Sequence, residues 1–225
     1  ASEAVWLAED GVLAGSPRPG AVAIECSTLS REWVLRLAGE VTAAGLRYLD
    51  VPVTGLPDAA AQGRLTLLAG AAPDDLEDAG PILEPLAERV VHFGPVGTGT
   101  AYKLIVNLMG AVQIAGAAEG LALAERAGLD PALFADAVAT SQAASPQVVR
   151  NIRRMVAGDH DRAVTFSAQL RRKDTAYALQ FAQQLEVGAA LGSVALEGLE
   201  RLLTDGRGSL NESAVIEAAR ARRPS

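Results

Sequence analysis

The chain has 225 residues, 49% of them hydrophobic and 21% charged, enough for a sizeable core and incompatible with disorder as its main state. Its 20 basic and 27 acidic residues leave a net charge of −7, which offers no electrostatic footprint for nucleic acid or an anionic membrane. One cysteine and two histidines, His92 and His160, far apart in sequence, exclude a disulfide framework and a multi-cysteine zinc site and argue against a histidine metal centre.

Ala1 to Gly15 carries Glu3, Glu9 and Asp10 and lacks the basic start of a signal peptide, so a cytoplasmic location is expected. Val22 to Cys26 reads as a strand ending at Ser27-Thr28, with Cys26 expected as a small buried hydrophobe. Ser30 to Ala44 has helical spacing through Trp33, Leu37 and Val41, and Gly45 punctuates its end. Leu46 to Val53 is a second strand, closed by Thr54-Gly55, and Leu65 to Ala69 a third. A short helix over Asp74 to Leu86 precedes a fourth strand, Val90 to Phe93. This alternation predicts an α/β layer with mainly parallel pairing.

After Gly97 the strand signals nearly vanish. Thr100 to Gly128 reads as a long, almost wholly apolar helix, and a buried core helix is expected there rather than a membrane span, because Asn107, Gln113 and Glu119 interrupt it. Asp130-Pro131 is a helix start. Further helices are expected over Asp130–Thr140, Pro146–Met155, Leu170–Leu185, Ala189–Arg201 and Ala214–Arg222. The boundary falls at Gly94-Pro95-Val96-Gly97, giving an α/β domain over residues 1–97 and an all-helical domain over residues 98–225.

The Gly94 to Lys103 segment follows a strand and opens a helix, which invites a phosphate-loop reading. It fails both patterns: Tyr102 stands where a dinucleotide fingerprint needs glycine, and Thr100 where a P-loop needs lysine. The glycines fit a tight turn and a close helix approach better. Lys103 lies one turn into the apolar helix, where a lysine must snorkel, pair or catalyse. Asn107, four residues on, shares its face, and together the two could hold a substrate hydroxyl or carbonyl. Thr54-Gly55 and Ser27-Thr28 each end a strand, where ligands bind in open parallel sheets. A loop turn explains both equally well. Arg171-Arg172-Lys173-Asp174 at the start of a helix is expected to be a solvated charged face.

Four segments, in order, resemble one family: Glu9 to Gly15 with Ser27-Thr28; Asp50 to Gly55 with Gly63 and Leu65-Thr66; Gly97-Thr98-Gly99 with Lys103 and Asn107; and Phe166 with Lys173-Asp174. The chain resembles a β-hydroxyacid dehydrogenase of the 3-hydroxyisobutyrate dehydrogenase and glyoxylate/succinic semialdehyde reductase type. The resemblance implies a Rossmann-type α/β domain followed by an all-α domain. It implies NAD or NADP as cofactor, with NADP favoured, a small carboxylic acid as substrate, and a homodimer or dimer of dimers paired through the helical domain. Lys103 would be the catalytic acid/base and Asn107 its partner on the substrate. Thr54 and Gly55 would hold the substrate carboxylate, Phe166 and Asp174 would border the site, Thr28 would lie beside the nicotinamide, and Lys173 would reach the cofactor.

Leu56 and Ala59 stand where the family usually has glycine, Thr54 where serine is common, and Val106 where one of two paired asparagines falls. The family also opens with a strand and glycine-rich loop for the cofactor pyrophosphate, so the native protein is expected to be longer, with those N-terminal strands missing here. Two other functions fit the same pattern less closely: imine reduction, whose enzymes resemble this family but usually lack a lysine at the position of Lys103, and a non-catalytic helical dimerisation or binding module.

Overall fold

The computed structural model describes residues 1–221. The chain divides into two compact units, one over Ala1–Ile105 and one from Val106 onward.

The first unit opens with helix α1 (Ser2–Leu7), which no sequence signal announced. Strand β1 (Val22–Glu25) and helix α2 (Arg31–Ala43) follow. Helix α2 forms where Ser30, in extended backbone, accepts the Trp33 N–H at 3.3 Å, and it buries Val34, Leu37 and Val41 at helical spacing. Next come β2 (Arg47–Asp50), β3 (Val53–Thr54), the short α3 (Pro57–Ala61), β4 (Leu65–Gly70), α4 (Pro73–Leu83) with a 3-10 turn at Glu84–Leu86, and β5 (Ala87–Gly94).

The mainly parallel sheet expected from the alternation is corrected to a mixed one. Strands β1 and β2 pair in parallel, as do β4 and β5, but β4 runs antiparallel to both β2 and β3. The expected single strand over 46–53 is interrupted at Val51-Pro52, since proline has no N–H for the ladder. Its register against β4 nevertheless runs on unbroken: Asp50 opposite Gly70, the Pro52 carbonyl accepting the Leu68 N–H at 2.9 Å, Val53 opposite Leu67, and Thr54 opposite Thr66. The physical reason is length. A parallel return needs a crossover of about a dozen residues or more, and residues 55–64 are too few.

The sheet carries a buried acid at its centre. Asp50, fully buried at the end of β2, accepts the Gly97 N–H at 2.6 Å and the Thr100 N–H at 2.7 Å through its two oxygens. It thereby caps helix α5 (Thr98–Arg126) from another part of the chain. The fit leaves no room for a side chain at Gly99. A Cβ there would stand 2.9 Å from the Gly70 nitrogen and 3.0 Å from the Asp50 carbonyl oxygen. The glycines of this turn serve tight backbone contact, as their failed phosphate patterns suggested.

The second unit packs around the rest of α5. Its helices are α6 (Pro131–Ala139), α7 (Pro146–Ala157), α8 (Ala168–Gln184), α9 (Ala190–Thr204) and, after a 3-10 turn at Glu212–Ala214, α10 (Val215–Ala221). Asp130, Ser145 and Ser167 cap α6, α7 and α8 by accepting an N–H three residues on. The last residue of the expected helix over 214–222, Arg222, lies outside the described residues.

Helix α5 is long and apolar enough to cross a membrane, and 44% of its most apolar window is buried within the chain. Leu104, Asn107, Ala111, Ile114, Ala118 and Leu121 form one buried stripe spaced by three and four residues. Ile114, Ala118 and Leu121 meet Met155, Leu199, Leu202 and Ile216 in the core of the second unit. The opposite positions Met109 and Leu123 are 55% and 71% exposed.

Replacing Asp50 with alanine strips two buried N–H groups of their acceptor. Urea unfolding of Asp50→Ala should show a loss of about 3 kcal/mol, and a loss under about 1 kcal/mol would mean that the cap does not hold α5 to the sheet.

Candidate active site

In the first unit, three of the predicted site segments leave the same end of the sheet. Thr28 follows the carboxyl end of β1, and Thr54-Gly55 continues beyond the carboxyl end of its parallel neighbour β2. Lys103 lies on α5 shortly after the turn that Asp50 caps at that same end. Lys103 is half-buried, whereas Thr54 and Gly55 are exposed. Gly55 has a φ of +142°, and a Cβ there would meet the Leu65 side chain at 2.7 Å, so the loop needs glycine at this position. Leu56, which departs from the family pattern, is 40% exposed and starts α3, away from the core.

The loop after β1 is held by a residue the sequence did not single out. Glu25 is buried, and its carboxylate accepts the Trp6 indole N–H at 2.8 Å, the Ser2 hydroxyl at 2.9 Å and the Ser27 N–H at 2.9 Å. Burial alone would raise its pKa. The bonds from Ser27, Trp6 and Ser2 outweigh that and hold the carboxyl below its ordinary range. The Asp50 carboxyl has the opposite balance: burial pushes it up, and the Gly97 and Thr100 N–H groups offset only part of the rise. Cys26, beside Glu25, corrects an expectation. It is exposed, because it lies past the last strand residue, where the inward alternation of β1 has ended.

In the second unit, Asn107, Lys173 and Asp174 come together. Asn107 occupies a core position of α5, so its amide must be hydrogen-bonded. Its Nδ2 donates to Asp174 Oδ2 at 2.7 Å, and Lys173 Nζ lies 2.9 Å from Asp174 Oδ1. An ionised carboxylate only accepts, which fixes the amide orientation and leaves Asn107 Oδ1 as an acceptor. Lys173 also lies over the Tyr177 ring, 5.3 Å from its centroid.

The expectation of a solvated charge run at 171–174 is overturned for Arg171 and Asp174, while the side chains of Arg172 and Lys173 are 41% and 36% exposed. Arg171 and Asp174 are 5% and 2% exposed. They lie three residues apart on the face of α8 that carries Thr175 and Ala178 into the core. Arg171 Nε donates to Glu212 Oε2 at 2.6 Å, its NH1 donates to the Asn107 carbonyl at 3.2 Å, and its guanidinium sits 4.6 Å from the Phe166 ring centroid. The half-buried Phe166 is thus tied to the same cluster. The burial of Arg171 and Glu212 carried no local signal, since their side-chain hydrogen-bond partners lie 41 and more residues away.

Of the residues a dinucleotide could meet, Thr28 in the first unit is half-buried, and Lys173 in the second unit is 36% exposed. The first turn of α5 cannot serve the pyrophosphate, because Asp50 already takes its N–H groups and puts a negative charge there.

The fold sets an α/β unit ahead of an all-helical one, the order of parts expected of this class of dehydrogenase. Residues 1–94 match the NAD binding domain of 6-phosphogluconate dehydrogenase, and residues 97–219 match the NAD-binding domain of NADP-dependent 3-hydroxyisobutyrate dehydrogenase. Among curated proteins, the chain is similar to an NAD-dependent L-serine dehydrogenase of Pseudomonas aeruginosa, 32% identical over 95% of this chain and 73% of the relative. It is also similar to an uncharacterised oxidoreductase of Synechocystis, 37% identical over 60% of this chain and 47% of the relative. The chain therefore spans about half to three quarters of the length of these relatives. A solved 3-hydroxyisobutyrate dehydrogenase from Salmonella typhimurium superposes with a TM-score of 0.87 at 30% identity, covering 96% of this chain and 75% of that one. The chain belongs to the 3-hydroxyisobutyrate dehydrogenase family of NAD(P)-dependent oxidoreductases.

The depressed Glu25 pKa has a definite sign. An acid held below its unfolded value near 4.5 adds stability that is complete above that value and is lost as pH falls through the folded one. Thermal unfolding followed from pH 6 to pH 3 should therefore show a steeper drop in Tm for the native sequence than for Glu25→Gln. Parallel curves would mean that the Glu25 hydrogen bonds add nothing to stability.

Proposed function

We propose that the enzyme moves a hydride between nicotinamide and the carbon bearing the hydroxyl or aldehyde group of a small carboxylic acid. Residues 1–97 serve the cofactor, and residues 98–225 serve the substrate and dimerisation. NAD or NADP, NADP with slight preference, supplies or takes up the hydride. In reduction Lys103, as ammonium, donates a proton to the developing alkoxide. In oxidation its amine form accepts the hydroxyl proton. Asn107 presents Oδ1 to the reacting hydroxyl, while Asp174 holds its Nδ2. The Thr54 hydroxyl and the Gly55 N–H receive the substrate carboxylate, with Phe166 and Asp174 bordering the site. Thr28 lies beside the nicotinamide, and Lys173 reaches the cofactor.

The observation that carries this reading is Asn107. An amide in the buried stripe of a long apolar helix, bonded to a buried acid and one turn from a lysine, is a costly arrangement for packing alone. The pyrophosphate loop belongs, in this reading, to sequence outside residues 1–225. The greater length of the relatives supports that, and so does β1, which pairs only with β2 among the described residues and leaves its other edge open to a further strand. The enzyme acts in the cytoplasm as a homodimer or a dimer of dimers. Exposed Leu123, Leu133 and Leu191, each at least 70% exposed, supply apolar surface for that interface.

Lys103→Ala in the full-length enzyme should lower turnover of 3-hydroxyisobutyrate about a hundredfold or more and leave dinucleotide affinity unchanged. A loss under about tenfold would remove Lys103 from the chemistry. Size-exclusion chromatography with light scattering at micromolar concentration should give a dimer or tetramer, and a stable folded monomer would refute the assembly.

A further inference from the structure

We propose that the buried Arg171–Glu212 ion pair is a positioning device that sets the place of Asn107 and Phe166 for the reaction; this rests on the reading of Asn107 given above. The pair lies in the second unit, with the two side chains only 6% and 2% exposed. A buried ion pair is seldom the most stable choice, because desolvating two charges costs about as much as their attraction returns, and apolar residues of similar volume often do as well. Its geometry shows what else it does.

The guanidinium of Arg171 faces three groups. Nε donates to Glu212 Oε2 at 2.6 Å, NH1 donates to the Asn107 carbonyl oxygen at 3.2 Å, and the planar group lies 4.6 Å from the Phe166 ring centroid. Glu212 is itself anchored. Its Oε1 accepts from Asn151 Nδ2 and from Arg150 NH2, each at 3.3 Å, and its backbone N–H donates to the Phe166 carbonyl at 3.0 Å. Helix α7, through Asn151 and Arg150, and helix α8, through Arg171, thus converge on Glu212, and the Arg171 guanidinium grips α5 at the Asn107 carbonyl. Asn107 is held twice from α8: Asp174 takes its amide, and Arg171 takes its carbonyl.

A rigid planar fork can serve separated acceptors at fixed angles, which a lysine ammonium cannot do. Losing that grip would let the Asn107 turn and the Phe166 ring drift, and a displacement of about 1 Å in a positioning group can lower a rate about a hundredfold. The pair touches no reacting atom. Its effect should therefore fall on kcat, leaving the KM for dinucleotide alone.

The test uses four variants of the full-length enzyme, with 3-hydroxyisobutyrate as the probe substrate and both NAD+ and NADP+ as acceptors. Arg171→Met/Glu212→Leu removes both charges together and should keep the thermal midpoint near that of the native enzyme. It should lower kcat about tenfold or more at unchanged dinucleotide KM, and it should shift the side-chain amide resonance of Asn107, identified by its loss in Asn107→Asp. Arg171→Lys keeps the charge opposite Glu212 and should lose kcat to a smaller extent at unchanged dinucleotide KM. Native turnover with an unmoved Asn107 resonance in either folded variant overturns the proposal. Lys103→Ala separates the two readings. If it is inactive while the charge-free pair runs at the native rate, positioning alone is refuted; if it stays active, the Asn107 reading falls and takes this proposal with it.

Discussion

The contact on which the first unit depends is a carboxylate seated at the start of a helix. Asp50 ends β2, is fully buried, and accepts two N–H groups from the first turn of α5. A buried charge of this kind is tolerable only where donors surround it, and the start of a 29-residue helix provides them with a favourable dipole. The cap brings α5 so close to the strand ends that position 99 must be glycine, and it sets Lys103 one turn beyond the carboxyl end of the sheet. It also settles what this turn cannot do. A helix start already holding a carboxylate repels a phosphate, so a glycine-rich turn between strand and helix serves here as a joint rather than as a ligand cradle.

The second unit solves a related problem by different means. Its core helix carries one polar residue, Asn107, in an otherwise apolar buried stripe, and everything polar nearby is arranged to satisfy it. Asp174 and Arg171 both come from α8, three residues apart, so one helical face delivers an acceptor for the amide and a donor for the carbonyl. The charges of that face are compensated in turn by Lys173 and Glu212. Such networks stabilise little beyond an apolar core of the same volume, but they permit one arrangement of side chains and penalise the others. That is the property an acid–base site requires.

Much of this was legible along the chain because the relevant forces are local. The helix starts at Ser30 and Asp130 rest on a side chain reaching three residues forward, and the buried faces of α2 and α5 follow from spacings of three and four. That Lys103 and Asn107 stand one turn apart on α5 needs only the helical period. The same information placed Thr28 and Thr54-Gly55 at strand ends, and the order of the four motifs pointed to the family that the comparisons establish.

What the sequence by itself determined was therefore most of the longer elements and the residues that stand at strand ends or one helical turn apart. Only the tertiary structure decided the rest. The direction of β4 depends on the ten-residue span between it and β3, the solvation of Cys26 on where the pleat of β1 stops, and the burial of Arg171 on Glu212, 41 residues away. Asp50 finds its donors 47 and 50 residues further on, and Glu25 finds Trp6 19 residues back. A charged side chain looks the same in sequence whether water or a distant partner will satisfy it. Its environment exists only once the chain has closed those loops, and burial then makes the partner obligatory.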